Sequence, residues 1–328
     1  MLARLADVDF AWARRARNAA SLVLSGITLD LHEGERVALL GPNGSGKSTL
    51  LTLLAGLARP NRGTVTWTFD GRPYAPTSPE VRARLGVVFQ HPALDGQLTA
   101  RENLHLAARI AALPGAEARA AATALLVDVD LTEHAERRVK TFSGGMRRRL
   151  DLARALIAEP DVLLLDEPTS GLDLDAFDRF WRRLESPRAP STLVVATHRP
   201  DEAARCDRLV MIDQGRIVLS GSPTDLVRAL GKDLLVITAS DPTALGTACT
   251  DLVTRVTGPD TLTVEVPADH DAAQLLVRLV ERFPAGRIDA IALRRPTLAD
   301  LFTKVTGRSL SADDAAGPNT AAASRRAA

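Results

Sequence analysis

Consecutive apolar residues recur along this chain in short runs, and helical spacing fills many of the intervals between them. Arg36-Val37-Ala38-Leu39-Leu40, Gly86-Val87-Val88-Phe89, Val162-Leu163-Leu164-Leu165 and the stretch from Ser191 to Thr197 leave no polar face for water. Such runs predict strands buried on both faces of a parallel sheet. Leu209 to Ile212 and Ile217 to Leu219 add two apolar segments, with Gly215 turning the chain between them. Thr64 to Asp70 alternates instead, as a hairpin strand with one wet face does. Leu50 to Ala58, His91 to Thr141 and Arg147 to Ala158 follow helical spacing; Thr99-Ala100-Arg101-Glu102 is a capping box and Pro114 opens a further helix. Strands alternating with helices predict an α/β fold.

Past Gly231 the pattern restarts on a smaller scale. Predicted strands at Leu234 to Thr238, Leu262 to Val266 and Ile288 to Leu293 enclose helices at Asp241 to Leu252 and Ala272 to Phe283, the second strongly amphipathic. The order β-α-β-α-β describes a small two-layer α/β domain over 231–308, following a first domain over 1–230. The tail, 309–328, is rich in Ala, Asp and Ser and is expected to be disordered.

Between the first two elements of the site lies its chemistry. Gly41-Pro42-Asn43-Gly44-Ser45-Gly46-Lys47-Ser48-Thr49 satisfies G-x-x-x-x-G-K-[ST], with a strand before it and a helix after. Glycines let the backbone curl until several N–H groups face one point; Lys47 supplies a cation for β- and γ-phosphates, and the Ser48 hydroxyl can ligate Mg²⁺. The helix that follows aims its positive end at the same anion. A nucleoside triphosphate, ATP, is the expected cofactor, with Mg²⁺. Asp161-Val162-Leu163-Leu164-Leu165-Asp166-Glu167-Pro168 reads as a buried strand delivering two carboxylates to the carboxyl edge of a sheet, where ligands of open α/β sheets bind. Asp166 would hold Mg²⁺ through water, and Glu167 could orient and deprotonate the attacking water.

Phe142-Ser143-Gly144-Gly145-Met146 precedes the helix-like run Arg147 to Ala158. A serine and two glycines at a helix start can present a hydroxyl and bare N–H groups to an anion, or can be an ordinary helix cap. With this segment the chain resembles the ATP-binding subunits of ABC transporters, whose signature is L-S-G-G-Q; Phe142 and Met146 depart from it at the ends. Other marks fall in the family's order. Trp12 stands where the family places an aromatic on adenine, after which 13–21 is rich in Arg and Ala. Gln90 resembles the Q-loop glutamine that touches Mg²⁺ and senses the membrane partner. Ser170-Gly171-Leu172-Asp173 resembles the D-loop at the dimer interface, and His198 the switch histidine.

The resemblance spans about residues 5 to 228. It is nearest to the drug- and polysaccharide-export branch, including daunorubicin-type exporters, on Thr141 to Ala153, Thr197-His198 and Cys206-Asp207-Arg208. It implies an ABC-type P-loop ATPase domain with an antiparallel β subdomain and a helical subdomain at about 91–158 that meets the permease. It also implies a shared site, in which Ser143, Gly144, Gly145 and Asp173 of one subunit reach the nucleotide of the other. Pro296 to Gly307 resembles the segment closing the exporters' C-terminal appendage. The alternative is an importer ATPase with a C-terminal ligand-binding regulator; soluble ABC proteins and unrelated P-loop kinases fit less of the pattern.

Composition narrows the partners. Among 328 residues, 45% hydrophobic and 25% charged content is that of a globular protein, and a net charge of +1 gives no field for nucleic acid. The triple Arg147-Arg148-Arg149 is expected to make local ion pairs. Cys206 and Cys249 form no metal or redox motif and suit a reducing cytosol. No apolar run approaches the ~20 residues of a membrane span. The expectation is therefore a subunit peripheral to the cytoplasmic side of the membrane, bound to a separate transmembrane permease, and paired with itself or a paralogue.

Overall fold

The computed structural model describes residues 1–12, 22–186, 192–230, 233–249, 252–266, 271–283, 287–308 and 310. The Arg- and Ala-rich stretch 13–21 and nearly all of the tail lie outside them. The chain forms two compact units, Met1–Gly221 and Ser222–Ala328.

In the first unit, β1 (Ala3–Phe10), β2 (Leu24–Leu31), β4 (Arg62–Phe69) and β5 (Arg72–Tyr74) form an antiparallel sheet of order β2-β1-β4-β5. The second sheet has the order β10-β9-β3-β8-β7-β6, from β3 (Arg36–Leu40), β6 (Leu85–Val88), β7 (Val162–Asp166), β8 (Thr192–Thr197), β9 (Arg208–Asp213) and β10 (Arg216–Gly221). Only the β9–β10 hairpin is antiparallel; the other pairs run parallel. The continuous apolar runs have the physical reason anticipated for them. Alternate residues Val37, Leu39, Val162, Leu164, Val194 and Ala196 join the core made with the antiparallel sheet and α1 (Lys47–Leu54), while Ala38, Leu40, Leu163, Leu165 and Val195 are buried as well.

Besides α1, the unit holds α2 (Pro79–Arg84), α3 (Ala100–Ile110), α4 (Gly115–Asp128), α5 (Gly144–Leu156), α6 (Leu174–Leu184) and α7 (Pro200–Ala203). The capping box at Thr99 forms: the Thr99 hydroxyl accepts from the Glu102 N–H, and the Glu102 carboxylate accepts from the Thr99 N–H at 2.7 Å. Those hydrogen bonds hold the Glu102 carboxyl below its usual range. α3, α4 and α5 pack together as a helical layer.

The second unit contains α8 (Pro223–Arg228), β11 (Leu234–Thr238), α9 (Pro242–Ala248), β12 (Thr254–Val256), β13 (Thr261–Glu265), α10 (Ala272–Arg282), β14 (Ala290–Arg294) and α11 (Leu298–Thr306). Its antiparallel sheet, β12-β13-β11-β14, carries a core in which Leu235, Ile237, Leu262 and Val264 meet Leu245, Leu275 and Leu279 of the helices. Three elements go beyond the expected β-α-β-α-β order, α8, β12 and α11. The division falls after Gly221 rather than Leu230, because α8 packs on α11.

Candidate functional site

Parallel register brings four loops to one edge. Leu40 of β3 is opposite Thr197 of β8, Ala196 of β8 is opposite Asp166 of β7, and Leu165 of β7 is opposite Val88 of β6. The residues that follow these ends, Gly41, His198, Glu167 and Gln90, therefore emerge side by side. The Gly41 N–H donates to the Thr197 carbonyl at 3.3 Å, and the Glu167 N–H to the Ala196 carbonyl at 2.9 Å, which ties three of the loops together.

The loop before α1 needs its glycines. Gly46 has φ of 109°, and a Cβ there would meet Leu24 Cδ2 at 2.6 Å. The loop is pinned from outside by the Gly215 N–H donating to the Ser45 carbonyl at 2.9 Å. Inside it, Lys47, 5% exposed, donates to the carbonyls of Gly41 at 2.7 Å and Pro42 at 2.9 Å. Its ammonium lies 3.9 Å from Glu167 Oε1. The Ser48 hydroxyl donates to Asp166 Oδ1 at 2.9 Å, and His198 Nδ1 lies 2.8 Å from Glu167 Oε2. Glu167 itself has φ of 46°, left-handed for a residue with a side chain. Asn43, Gly44, Gly46, Lys47, Ser48, Thr49, Gln90 and Glu167, with Val23, line one cavity of about 220 Å³.

Burial sets the electrostatics. It pushes the Lys47 ammonium pKa down, opposed by Glu167 and Asp166. It pushes Asp166 up; the Ser48 hydroxyl opposes this and the Glu167 charge adds to it. The site thus concentrates two carboxylates against one cation, and a bound anion with a divalent cation would redistribute that balance.

The remaining expected residues lie elsewhere on the unit. Trp12 is 47% exposed, its ring edge-on to Phe10 at 4.9 Å, and does not line the cavity. Ser143 caps α5, accepting from the Met146 N–H at 3.2 Å; Ser143 and Gly144 face solvent. Asp173 caps α6, accepting from the Ala176 N–H at 2.8 Å. Phe142, the departure from the signature, is buried, its ring 6.4 Å from His134 with Arg137 over it at 5.8 Å. Neither Ser143 nor Asp173 lines the cavity within its own chain.

The arginine triple meets its expectation in part. Arg149 pairs with Asp130 at 3.4 Å and Arg148 lies 4.0 Å from Asp151 Oδ2, while main-chain oxygens add to the local ion pairs: Arg147 donates to the Phe142 carbonyl at 2.7 Å and Arg149 to the Val129 carbonyl at 2.7 Å. Arg148 is buried, and burial lowers its pKa against the opposing charges of Asp151, Asp166, Glu202 and Glu167. Sequence reading also missed Glu202 on α7, wholly buried, which accepts from the Thr169 hydroxyl at 2.9 Å just after the carboxylate turn. A glutamate in a four-residue helix gives no periodicity to reveal its burial.

The chemistry of the donor set fits ATP and Mg²⁺. Among the described residues, Ser45 Oγ and Glu167 Oε1 are buried without a hydrogen bond, and both lie in the loops that face the cavity. Ser48 and Asp166 already sit together as a hard-oxygen pair, the kind Mg²⁺ takes alongside phosphates. Among the described residues no cluster of His, Cys, Asp and Glu could hold a metal on its own, and no helix is long and apolar enough to cross a membrane.

Residues 24–170 match the ABC transporter family. The Nod factor export ATP-binding protein I of Burkholderia orbicola is 39% identical over 312 residues, covering 93% of this chain and 99% of that protein. Its counterpart in Paraburkholderia xenovorans is 40% identical over 294 residues, covering 88% and 93%. A solved dimeric ATP-binding cassette in a post-hydrolysis state, bound to ADP and Pi, superposes with a TM-score of 0.60 at 28% identity, over 67% of this chain and 98% of that one. The P-loop, the carboxylate strand and this likeness over nearly the whole length lead to one assignment: the chain belongs to the ABC transporter family, as an ATP-binding and ATP-hydrolysing subunit.

Proposed function

We propose that this chain energises an exporter, with Glu167 as the base that activates water. The observation that carries the assignment is the carboxylate itself: one oxygen lies 2.8 Å from the His198 imidazole and the other faces Lys47, in the cavity lined by the P-loop. A carboxylate anchored at one oxygen, with the other, beside Lys47, left without a hydrogen bond among the described residues, is oriented before substrate arrives and keeps a free acceptor for water, which is what general base catalysis needs. Lys47 and the N–H groups of Gly44 to Thr49 hold the phosphates, and Trp12 stacks on adenine. Ser48, Asp166 and Gln90 would hold Mg²⁺, which when bound neutralises phosphate charge. His198 keeps Glu167 aimed at the water.

Ser143 and Gly144 face solvent, Gly145 is half-buried, and none of the three lines the cavity of its own P-loop, which supports a sandwich of two copies with ATP between P-loop and signature. The permease docks in a groove of about 700 Å³ beside α3, where Leu106 and Ile110 are 44% and 80% exposed one turn apart. Val87 and Ala93, on either side of Gln90, line the same groove, so an occupant there bears on the Q-loop. Export as the direction rests on the names of the relatives, and the second unit is assigned to assembly of the dimer with its permease. Peripheral attachment at the cytoplasmic face follows from that docking.

Glu167→Gln tests the reading. ATP binding is expected to persist while hydrolysis falls about a hundredfold or more, the scale of a lost general base. Turnover within a few fold of the unaltered protein would reject Glu167 as the base.

A further inference from the structure

One side chain outside the cavity holds three carbonyls in two of the segments that meet there. The Arg148 guanidinium on α5, 3% exposed, donates to the main-chain carbonyls of Phe89, Asp166 and Pro168. Phe89 directly precedes Gln90, and Asp166 and Pro168 are the two neighbours of Glu167. A single planar fork therefore fixes the peptide that enters Glu167 and the carbonyl of the residue after it, on either side of the residue whose φ of 46° places it in a sparsely populated region. Such a conformation persists only where its surroundings over-determine it.

The same helix grips the Q-loop from a second point. Asp151, fully buried, accepts from the Ala93 N–H at 3.3 Å and from Arg154 Nε at 2.8 Å, and Arg154 donates to the Val87 carbonyl at 2.7 Å. Asp151 Oδ2 lies 4.0 Å from Arg148 and supplies countercharge. α5 begins at Ser143, so the helix that carries the signature is bolted through Arg148 to both the Gln90 strand end and the Glu167 turn. Lysine, a point charge with a single ammonium, cannot reproduce a fork spread over three carbonyls.

We propose that Arg148 is a positioning residue for hydrolysis: it holds Glu167 in its left-handed, water-facing conformation and ties that conformation to the signature helix. The proposal rests on reading Glu167 as the base. Its consequence is that displacement of Ser143 to Gly145, by a partner subunit's nucleotide, reaches Glu167 through one side chain.

The test uses the full chain with Mg²⁺-ATP and four proteins: unaltered, Arg148→Lys, Glu167→Gln and the double variant. Arg148→Lys is expected to lower kcat ten- to a hundredfold, the cost of a small misplacement of a reacting group. KM for ATP and the Kd of a fluorescent ATP analogue are expected to stay within about twofold, since the P-loop does not touch Arg148. In the Glu167→Gln background the same substitution is expected to change the residual rate less than about twofold, because a residue acting through Glu167 has nothing left to position. Arg148→Met, which keeps the stem and removes the fork, gives the same pattern if the lysine variant does not fold, with thermal midpoint and nucleotide affinity reporting the fold. Turnover of Arg148→Lys within threefold of normal overturns the proposal. So do losses that multiply in the double variant, or nucleotide affinity falling together with kcat, which would mark a general brace. If Glu167→Gln alone turns over normally, the reading of the base fails first, and that single variant distinguishes the two failures.

Discussion

Replacing Gly46 with alanine asks how much of the phosphate loop depends on backbone freedom, and Gly44 provides an internal comparison. At Gly46 two costs combine. An L-residue in left-handed backbone costs about 1–2 kcal/mol. The new methyl would also sit 2.6 Å from Leu24 Cδ2 and 3.1 Å from the Val23 carbonyl. Leu24 is fully buried in β2 and has nowhere to retreat, so the overpacking cost of about 1–3 kcal/mol applies in addition. Gly44 has φ of 78° but no atom within 4 Å of the new Cβ, so the first cost stands alone. The sum is about 2–5 kcal/mol for Gly46→Ala against about 1–2 for Gly44→Ala. At roughly 2–4 °C per kcal/mol for a unit of this size, the first variant is expected to melt about 4–20 °C lower and the second about 2–8 °C lower. The assay is thermal unfolding without nucleotide, followed by titration with a fluorescent ATP analogue; a loop that moves to relieve the clash misdirects its N–H groups, so Gly46→Ala is also expected to bind more weakly. A Gly46→Ala protein that melts and binds like the unaltered chain, or a Gly44→Ala protein that melts lower than it, would refute the reasoning.

Three other outcomes are expected. A mixture of Lys47→Ala and Ser143→Arg chains can assemble one composite site with both halves intact; it should hydrolyse ATP measurably where neither variant does alone, and an unaffected Ser143→Arg protein would rule out the sandwich. Ile110→Asp places a charge in the groove beside α3, and on co-expression with the permease this variant should stay out of the membrane fraction while its own ATP binding is retained; membrane association at the normal level would move the docking site elsewhere. Burial raises the Glu202 carboxyl above its usual range, against the hydroxyls of Thr197 and Thr169 and with the Glu167 charge adding to the rise. A carboxyl raised in the folded state stabilises it below the unfolded pKa and loses that contribution as pH rises through the folded value. Glu202→Gln, which keeps the acceptor for Thr169, should therefore gain urea stability relative to the unaltered chain between pH 5 and pH 8, and a pH-independent difference would contradict the burial argument.

Much of the first unit was legible because its chemistry lies in contiguous segments whose flanks repeat one pattern. Strand, turn and helix around Gly41 to Thr49 are written in eighteen consecutive residues or so, and the apolar run before Asp166 can only be a strand buried on both sides. What escaped reading depends on distant neighbours. Arg147, Arg148 and Arg149 are identical in sequence terms, yet only Arg148 turns inward, and nothing local distinguishes it. β12 is three residues long with Arg255 at its centre, too short for a period to show. α11 was visible only as a likeness, although Thr297 and Asp300 form a capping box of the same kind as Thr99 and Glu102. The boundary after Gly221 was hidden because α8 reads as a continuation of the first unit until α11 is seen to cover it. Phe142 was a mismatch to a motif in one dimension and is a packed ring in three.

The four loops at the sheet edge also dictate when activity can arise during folding. Ser48 and Asp166 are 118 residues apart in sequence, and the edge that joins them forms only when β8 has inserted between β3 and β7. Parallel pairings over such separations close late and slowly. A refolding chain should thus recover helix signal first, nucleotide affinity afterwards, and hydrolysis last, so that turnover reports completion of the whole sheet while no partly folded species consumes ATP.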